Sequence, residues 1–392
     1  MVPFTRQSSL LVALSYLVFL AIGLYAGLMG VVWPSMRDGF QIDDDAYGVL
    51  AGATTVGSLL VIANVGRLIE RVGTGRLLAL GCALGGLGYL GAGLAPSWPA
   101  LIALALLASV GTATVIPTLN TYFALHQTAG RTSWLNAFFG LGATISPAIL
   151  SALLGAGATW RWGFGAIAAV YLALGGVFGL TARRWPQPVP AEAGTEGATP
   201  APQGRRTLAL PAVWLSALLF CTFTGYETST GQWSYTLFTE GRGISPEVAG
   251  RWASAFWASM TVGRILLGWI VDHLAVEPLV RSCMLGAVLG AAIFWWAPLP
   301  WVGLLGLIVI GLCLSPLFPV LTSATPQRLG TKHATDALGY QMTAVRLGLA
   351  AFPALGGVLV ARLGVSSLGP YLLITAILVV VLNEATVWAA AK

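Results

Sequence analysis

The chain has 392 residues, 57% hydrophobic and only 9% charged, with a mean hydropathy of +0.81, against about 25% charged in an ordinary soluble domain. Twenty basic and fourteen acidic side chains cannot cover the surface of water-soluble domains of this size, so lipid is the solvent for most of the chain. The net charge of +6 comes with no basic stripe to follow phosphates, which excludes nucleic acid as a partner.

Apolar runs bounded by polar or Gly/Pro breaks predict six helices near residues 10–33, 46–66, 76–95, 99–124, 133–155 and 163–182. Six more are predicted near 209–237, 247–270, 280–297, 300–325, 335–360 and 369–390. These runs suit the about 20 residues of a membrane-spanning helix and lack the alternation of a transmembrane barrel. The first run is too long for a signal peptide and has no small-residue cleavage site, so it is expected to stay as the first span. Cys82, Cys221, Cys283 and Cys313 lie inside apolar runs without paired spacing, and His126, His273 and His333 fall in loops. No disulfide framework, metal site or cofactor is indicated.

Between the sixth and seventh runs the sequence turns rich in Pro, Ala, Gly and Glu and loses its apolar periodicity, as a flexible linker does. The expected organisation is an N-terminal six-helix bundle over residues 1–183, a cytoplasmic linker over 184–208 and a C-terminal six-helix bundle over 209–392. The halves repeat at a shift of about 200 residues, as parallel repeats do. Tyr25 to Trp33 lies against Tyr226 to Trp233, Gly66 and Glu70 against Gly268 and Asp272, and Gly142 with Pro147 against Gly348 with Pro353. With the N-terminus in the cytoplasm, fourteen cations fall on that side and five on the other, with Arg346 left inside a helix. The positive-inside rule then places both termini and the linker in the cytoplasm of a multi-pass inner (plasma) membrane protein.

The loop GRLIERVGTGR, Gly66 to Arg76, resembles the signature between the second and third helices of the major facilitator superfamily. Gly66, Leu68, Arg71 and Gly73 meet the pattern Gly-x-Leu-x-Asp-Arg-x-Gly-Arg, with Glu70 in place of Asp and Thr74 in place of the last Arg. Its echo is GWIVDHL, Gly268 to Leu274. The resemblance covers the whole chain and implies an all-α protein of twelve transmembrane helices in two six-helix bundles related by a pseudo-two-fold repeat. It also implies a monomer. A narrower resemblance, to the fucose/proton symporter-like branch, lies in YETSTGQWSYTLFTEGRGISPEVAGRWASAFWASMTVGRILLG, Tyr226 to Gly268. The acids that those symporters carry in helices one and four have no counterpart: Ala26 stands opposite Glu227, and helix four offers Thr112, Thr114 and Asn120.

Glu227 is the one acid placed well inside a predicted span and Arg346 the one deep cation. Ionisable groups at such depth are expensive, and functional by default. The two can pair, either within a transport site or as an ion pair that steadies the C-terminal half. Tyr226, Gln232 and Trp233 surround Glu227 with a polar density foreign to a lipid-facing helix. Hydroxyl, amide and indole groups together suit a sugar, whose hydroxyls need donors and acceptors and whose C–H face stacks on a ring. Trp257, Gln341, Arg346, Asn120 and Asn136 are further substrate-binding candidates, with helix-to-helix bonding or packing as the other role open to each. Glu70 and Asp272, with Arg71, Arg76 and Arg264, are candidates for a cytoplasmic latch between bundles, Gly66 and Gly73 shaping the loop. Trp160, Trp162, Trp295, Trp296 and Trp301 sit near span ends as interface anchors.

The expected function is a secondary active or facilitative transporter of a small polar solute, a sugar first, working by alternating access with Glu227 as proton-coupling candidate. The alternatives are efflux of amphipathic drugs or metabolites, and a nutrient sensor on the same scaffold. Intramembrane enzymology would need a nucleophile and base, or a metal pair, that the spans lack. The expected partners are the solute, the bilayer and protons.

Overall fold

The computed structural model describes residues 6–62, 64–185, 207, 209–270 and 275–391. In chain order the first helices are α1 (Arg6–Phe40), α2 (Ala46–Ile62), α3 (Val65–Val72), α4 (Thr74–Leu94), α5 (Trp98–His126), α6 (Ala129–Gly155) and α7 (Arg161–Thr181). They are followed by α8 (Pro211–Thr236), α9 (Pro246–Ile270), α10 (Val276–Trp296), α11 (Pro300–Leu314), α12 (Leu317–Leu329), α13 (Thr331–Leu363) and α14 (Leu368–Ala390). Each predicted span has a helical counterpart. Among the described residues nine stretches are long and apolar enough to cross a membrane, and the α2–α3 pair, bent by 55°, makes a tenth. The counterparts α8 and α9 are long enough but more polar, α8 through its Thr, Ser, Gln and Glu residues and α9 through Glu247, Arg251 and Arg264. A polar helix at membrane depth is tolerated where protein or water covers its polar face.

Two predicted spans are each divided into two helices. The second breaks near Asn64, and Gly73, at φ +84°, then separates α3 from α4 in a conformation that favours glycine. The tenth breaks at Ser315–Pro316. Pro316 brings no N–H to the helix ladder, and the Ser315 hydroxyl donates instead to the Leu312 carbonyl at 2.7 Å.

The chain divides into two compact units, Met1–Ile42 with Gly52–Gly194, and Asp43–Ala51 with Thr195–Lys392. In the first, α1 packs along α6, and α4 lies between α5 and α7. In the second, α8 packs on α13 and α14, α10 on α11 and α14, and α9 on α11. Residues 43–51 cluster with the second unit, where the Tyr47 ring meets Trp233 edge-on at 5.7 Å.

The same helix contacts are built twice. A Cβ at Gly142 on α6 would overlap the Leu20 carbonyl oxygen on α1, and one at Gly348 on α13 would overlap the Cys221 carbonyl oxygen on α8. A second pair recurs at an offset of 206 residues: Gly57 lies against Ser109 and the Leu106 carbonyl, Gly263 against Ser315 and the Leu312 carbonyl. Both serines turn their hydroxyls onto those carbonyls, at 2.8 and 2.7 Å. Small residues let helix backbones approach where lipid offers no hydrophobic drive for association.

Half-buried arginines cap the third predicted span of each half. Arg161 donates to the Gly93 and Ala95 carbonyls at the end of α4, at 2.8 and 3.0 Å. Arg242, in the loop after α8, donates to the Phe294 carbonyl near the end of α10 and lies over the Phe238 and Phe294 rings, 5.4 and 5.0 Å from their centroids. Burial pulls the Arg242 pKa below its ordinary value, and the helix C-terminus and ring faces favour the cation in return. Trp160, expected at the lipid interface, is instead 6% exposed beneath the Arg161 guanidinium and beside Phe164. Trp162, Trp295, Trp296 and Trp301 are exposed.

Each unit also anchors its own side of the linker. Trp185 is buried edge-on to Tyr122 at 4.8 Å and tilted against Phe178 at 5.7 Å. Thr207, fully buried, donates its hydroxyl proton to Asp336 at 3.1 Å. His333 Nδ1 lies 2.9 Å from the same oxygen, so Nδ1 is the donor in that bond, because a hydroxyl has one proton to give.

Candidate transport site in the second unit

The site is read from α8 outward. Its hydroxyls turn back on their own helix: Thr224 donates to Phe220 O, Thr228 to Thr224 O and Thr230 to Tyr226 O, at 2.7 to 2.8 Å. Such bonds let a polar residue sit in a helix without an outside partner. Glu227, the one acid on α8, cannot be satisfied in this way and needs a partner from another helix.

That partner is Arg264 on α9, with Nη2 3.9 Å from Glu227 Oε1. At this separation the pair attracts without a hydrogen bond. Neither side chain is sealed off, Glu227 being 19% and Arg264 35% exposed. Arg264 shares a face of α9 with Trp257 and Thr261 at i, i+4 and i+7. A Cβ at Gly231, one turn beyond Glu227 on α8, would meet the Trp257 ring at 2.7 Å, so the ring packs over that glycine. Glu227, Thr228, Gly231, Trp257, Thr261 and Arg264 are all half-buried.

This geometry corrects two expectations. Glu227 pairs with Arg264 and not with Arg346, because the α9 face at Arg264 is the charged neighbour of this part of α8. Arg264 is correspondingly no part of a loop latch: it lies six residues inside α9, about 9 Å of helix rise from the end. That depth follows from the predicted limits of the eighth span and was the signal for its role.

Several other candidates are committed to helix packing. Tyr226 is fully buried and donates to Ala287 O at 3.3 Å. Trp233, also fully buried, donates Nε1–H to Pro353 O at 2.9 Å. Gln341 accepts from Thr325 at 3.1 Å and donates to Ser216 at 3.2 Å, beside a cavity with room for about one water that Ser216, Thr325, Arg328 and Gln341 help to line. Gln232 is buried. Arg346 on α13 and Trp257 are half-buried, whereas Asn120 and Asn136 in the first unit are exposed, Asn136 bonding back to Thr132 O at 3.0 Å.

Of the signature loop, Gly66, Glu70, Arg71 and Arg76 are exposed and Gly73 makes the turn into α4. Asp272 lies outside the described residues. A further charged cluster escaped sequence reasoning. Arg328 grips Glu277 with two bonds of 3.0 and 2.9 Å and donates to Asn383 at 3.1 Å. Arg281 grips Glu384 at 2.8 and 2.7 Å, and Asn383 also donates to Glu384 at 3.1 Å. Arg281 and Arg328 thus tie α10, α12 and α14 together.

The family model of the Major Facilitator Superfamily matches residues 14–353. The chain belongs to this superfamily: it is a multi-pass membrane transporter of small solutes, with the major facilitator fold, and not an enzyme. Among solved structures it is similar to a mutant of the nucleoside transporter NupG, with TM-score 0.79, 16% identity, and 96% of this chain and 98% of that one covered. A bacterial homologue of the human lysosomal transporter Spinster, in an inward-facing and occupied conformation, gives TM-score 0.77, 14% identity and 99% and 98% coverage. The Escherichia coli fucose:proton symporter FucP gives 0.64, 15%, and 97% and 99%. Bypass of stop codon protein 6 of Saccharomyces cerevisiae is 24% identical over 169 residues, 40% of this chain and 33% of that protein. The chain therefore matches along about a third of that curated relative's length.

Proposed function

We propose that the chain carries a sugar or sugar-bearing solute across the inner membrane by alternating access, with both termini and the linker in the cytoplasm, and that Glu227 takes up and releases the coupling proton. The domain limits proposed are those of the sequence: bundles over residues 1–183 and 209–392, acting as a monomer. The observation that carries the coupling reading is the Glu227–Arg264 contact of 3.9 Å, made by two half-buried side chains on neighbouring helices. Such a pair has two arrangements. With the carboxylate charged, attraction holds α8 to α9 at this point; with a proton on it, Arg264 is released to another acceptor. The attraction lies between about 1 kcal/mol in water and about 4 kcal/mol at an effective dielectric of about 20, nearer the lower figure for a group as exposed as Arg264. That is enough to bias a conformational equilibrium by about an order of magnitude.

Trp257 supplies a ring for a sugar's C–H face, and Thr228 and Thr261 supply hydroxyl groups beside it. A nucleoside and fucose, the solutes in the names of two structural neighbours, both present a hydroxylated sugar ring, which supports a solute of this kind. The latch role is proposed for Glu70, Arg71, Arg76 and Asp272, without Arg264.

Uptake of labelled fucose, glucose and uridine into proteoliposomes, with and without an inward proton gradient, tests this. A potential of 100 mV supplies about 2.3 kcal/mol per proton, equivalent to about fiftyfold accumulation for one proton per solute. Glu227→Gln is expected to abolish accumulation and spare exchange down a gradient. Unchanged accumulation in this variant, or uptake indifferent to the gradient in the unaltered protein, refutes the coupling role.

A further inference from the structure

The charges inside the second unit's spans do not balance. Glu227 is answered by Arg264. Arg346, half-buried near the middle of the 33-residue α13, has neither an ion-pair nor a hydrogen-bond partner among the described residues. Its position relative to α8 follows from its neighbours. The Thr224 hydroxyl oxygen lies 3.4 Å from the Val345 carbonyl oxygen, and a Cβ at Gly348 would meet that hydroxyl at 2.7 Å. Thr224 is one turn before Glu227, so the 345–348 stretch of α13 runs beside the turn of α8 that leads into the ion pair.

Among the described residues no acid of this unit meets Arg346: Asp43 and Asp45 are exposed, and Asp44 lies against Gly357, about three turns further along α13. Glu277 and Glu384 are gripped by Arg328 and Arg281, and Asp336 accepts from Thr207. Glu240 and Glu247 lie where α8 gives way to α9, more than three turns of α8 beyond Glu227. An unanswered guanidinium inside a membrane is costly, and such cations mark substrate pathways. A guanidinium is also the side chain shaped to take a carboxylate or phosphate in two parallel hydrogen bonds.

We infer that the solute is an organic anion, and that Arg346 binds its acidic group. Resting on the transport reading above, this narrows the solute class to sugar acids or sugar phosphates. It also gives the Glu227–Arg264 pair a second consequence. While Glu227 is charged it competes with the solute for Arg264. A proton on Glu227 removes that competitor and raises the net charge of these three groups from one to two positive charges, so proton and anion favour each other's binding.

The test uses the purified full-length protein in detergent, with D-glucuronate, D-glucose 6-phosphate and D-glucose as probes, read by thermal shift and equilibrium binding. One or both anions should raise the melting temperature where D-glucose does not, and which anion does so tells carboxylate from phosphate. Arg346→Gln is expected to weaken that anion at least tenfold and Arg346→Lys by less. The melting temperature of the unliganded Arg346→Gln protein should hold or rise, because an unpaired charge is removed; a structural ion-pair role would lower it. Equal binding of D-glucose and the anions, binding of neither anion, or undiminished anion binding by Arg346→Gln overturns the inference. D-glucose transport that survives Arg346→Gln, with no anion bound by the unaltered protein, overturns this inference alone and leaves a transporter of neutral sugar. Anion binding lost in Arg346→Gln, with accumulation unchanged in Glu227→Gln, overturns the proton coupling alone.

Discussion

Replacing Gly348 by Ala puts a methyl group where α13 meets the backbone of α8. Besides overlapping the Cys221 carbonyl oxygen, the new Cβ would stand 2.9 Å from the Cys221 carbonyl carbon and 2.7 Å from the Thr224 hydroxyl, where carbon contacts settle at about 3.5–4.0 Å. The obstacle is backbone, so the two helices must part by a sizeable fraction of an ångström. Overpacking of this kind costs about 1–3 kcal/mol, here the upper end, and the gain in helix propensity from Gly to Ala returns about 1 kcal/mol. The net loss is about 2 kcal/mol. For a unit of about 200 residues that lowers the melting temperature by about 4–8 °C. Gly142→Ala in the first unit, whose Cβ would stand 2.8 Å from the Leu24 nitrogen, should lose as much. Gly57→Ala is the control. Its main obstacle is the Ser109 hydroxyl, with the Leu106 carbonyl at 3.0 Å; the hydroxyl can rotate away at the loss of one hydrogen bond of about 1 kcal/mol, which the propensity gain cancels. Fluorescence-monitored melting of the three purified variants in one detergent measures the order. A Gly348→Ala protein that melts no lower than Gly57→Ala refutes the assignment of these glycines to close backbone contact.

Two further outcomes follow from the arginines. Arg328→Ala leaves Glu277 and Asn383 without their shared donor; with Glu277 39% exposed, the loss should fall at about 1–3 kcal/mol, and a double-mutant cycle with Glu277→Gln should show a coupling of at least about 0.5 kcal/mol. Arg242→Leu keeps bulk against Phe238 and Phe294 but removes the donor to the Phe294 carbonyl, so hydrogen exchange at the end of α10 should quicken while the core of α8 stays protected.

The helices were legible because apolar runs punctuated by Gly and Pro leave little freedom in where a span starts and stops. The polar α8 and α9 are the instructive cases: both are read from apolar runs, yet both are less apolar than the other spans, and the resemblance of Tyr226 to Gly268 points to the same pair of helices. Side-chain roles were less legible, for a physical reason. Thr224, Thr228 and Thr230 satisfy themselves on their own helix, and Tyr226, Trp233 and Gln341 satisfy themselves on neighbouring helices. Polar density therefore signals an inward face without revealing whether solute or protein meets it. Charge is less forgiving. Glu227 had to find a cation, and choosing between Arg264 and Arg346 needed the rotation of α9 about its axis, which a single sequence does not encode in an obvious way. The repeat lay partly in view: Gly142 and Gly348 stand out beside Pro147 and Pro353, while the Gly57–Ser109 and Gly263–Ser315 contacts emerge only once the helices are packed.

Trp185 and Thr207 hold their ends of the linker through contacts internal to their own units. Neither anchor depends on peptide continuity between them. A gene split between their codons would yield two polypeptides that each keep a complete terminal clasp, so the halves lend themselves to co-expression as fragments and to the grafting of one half from a related carrier.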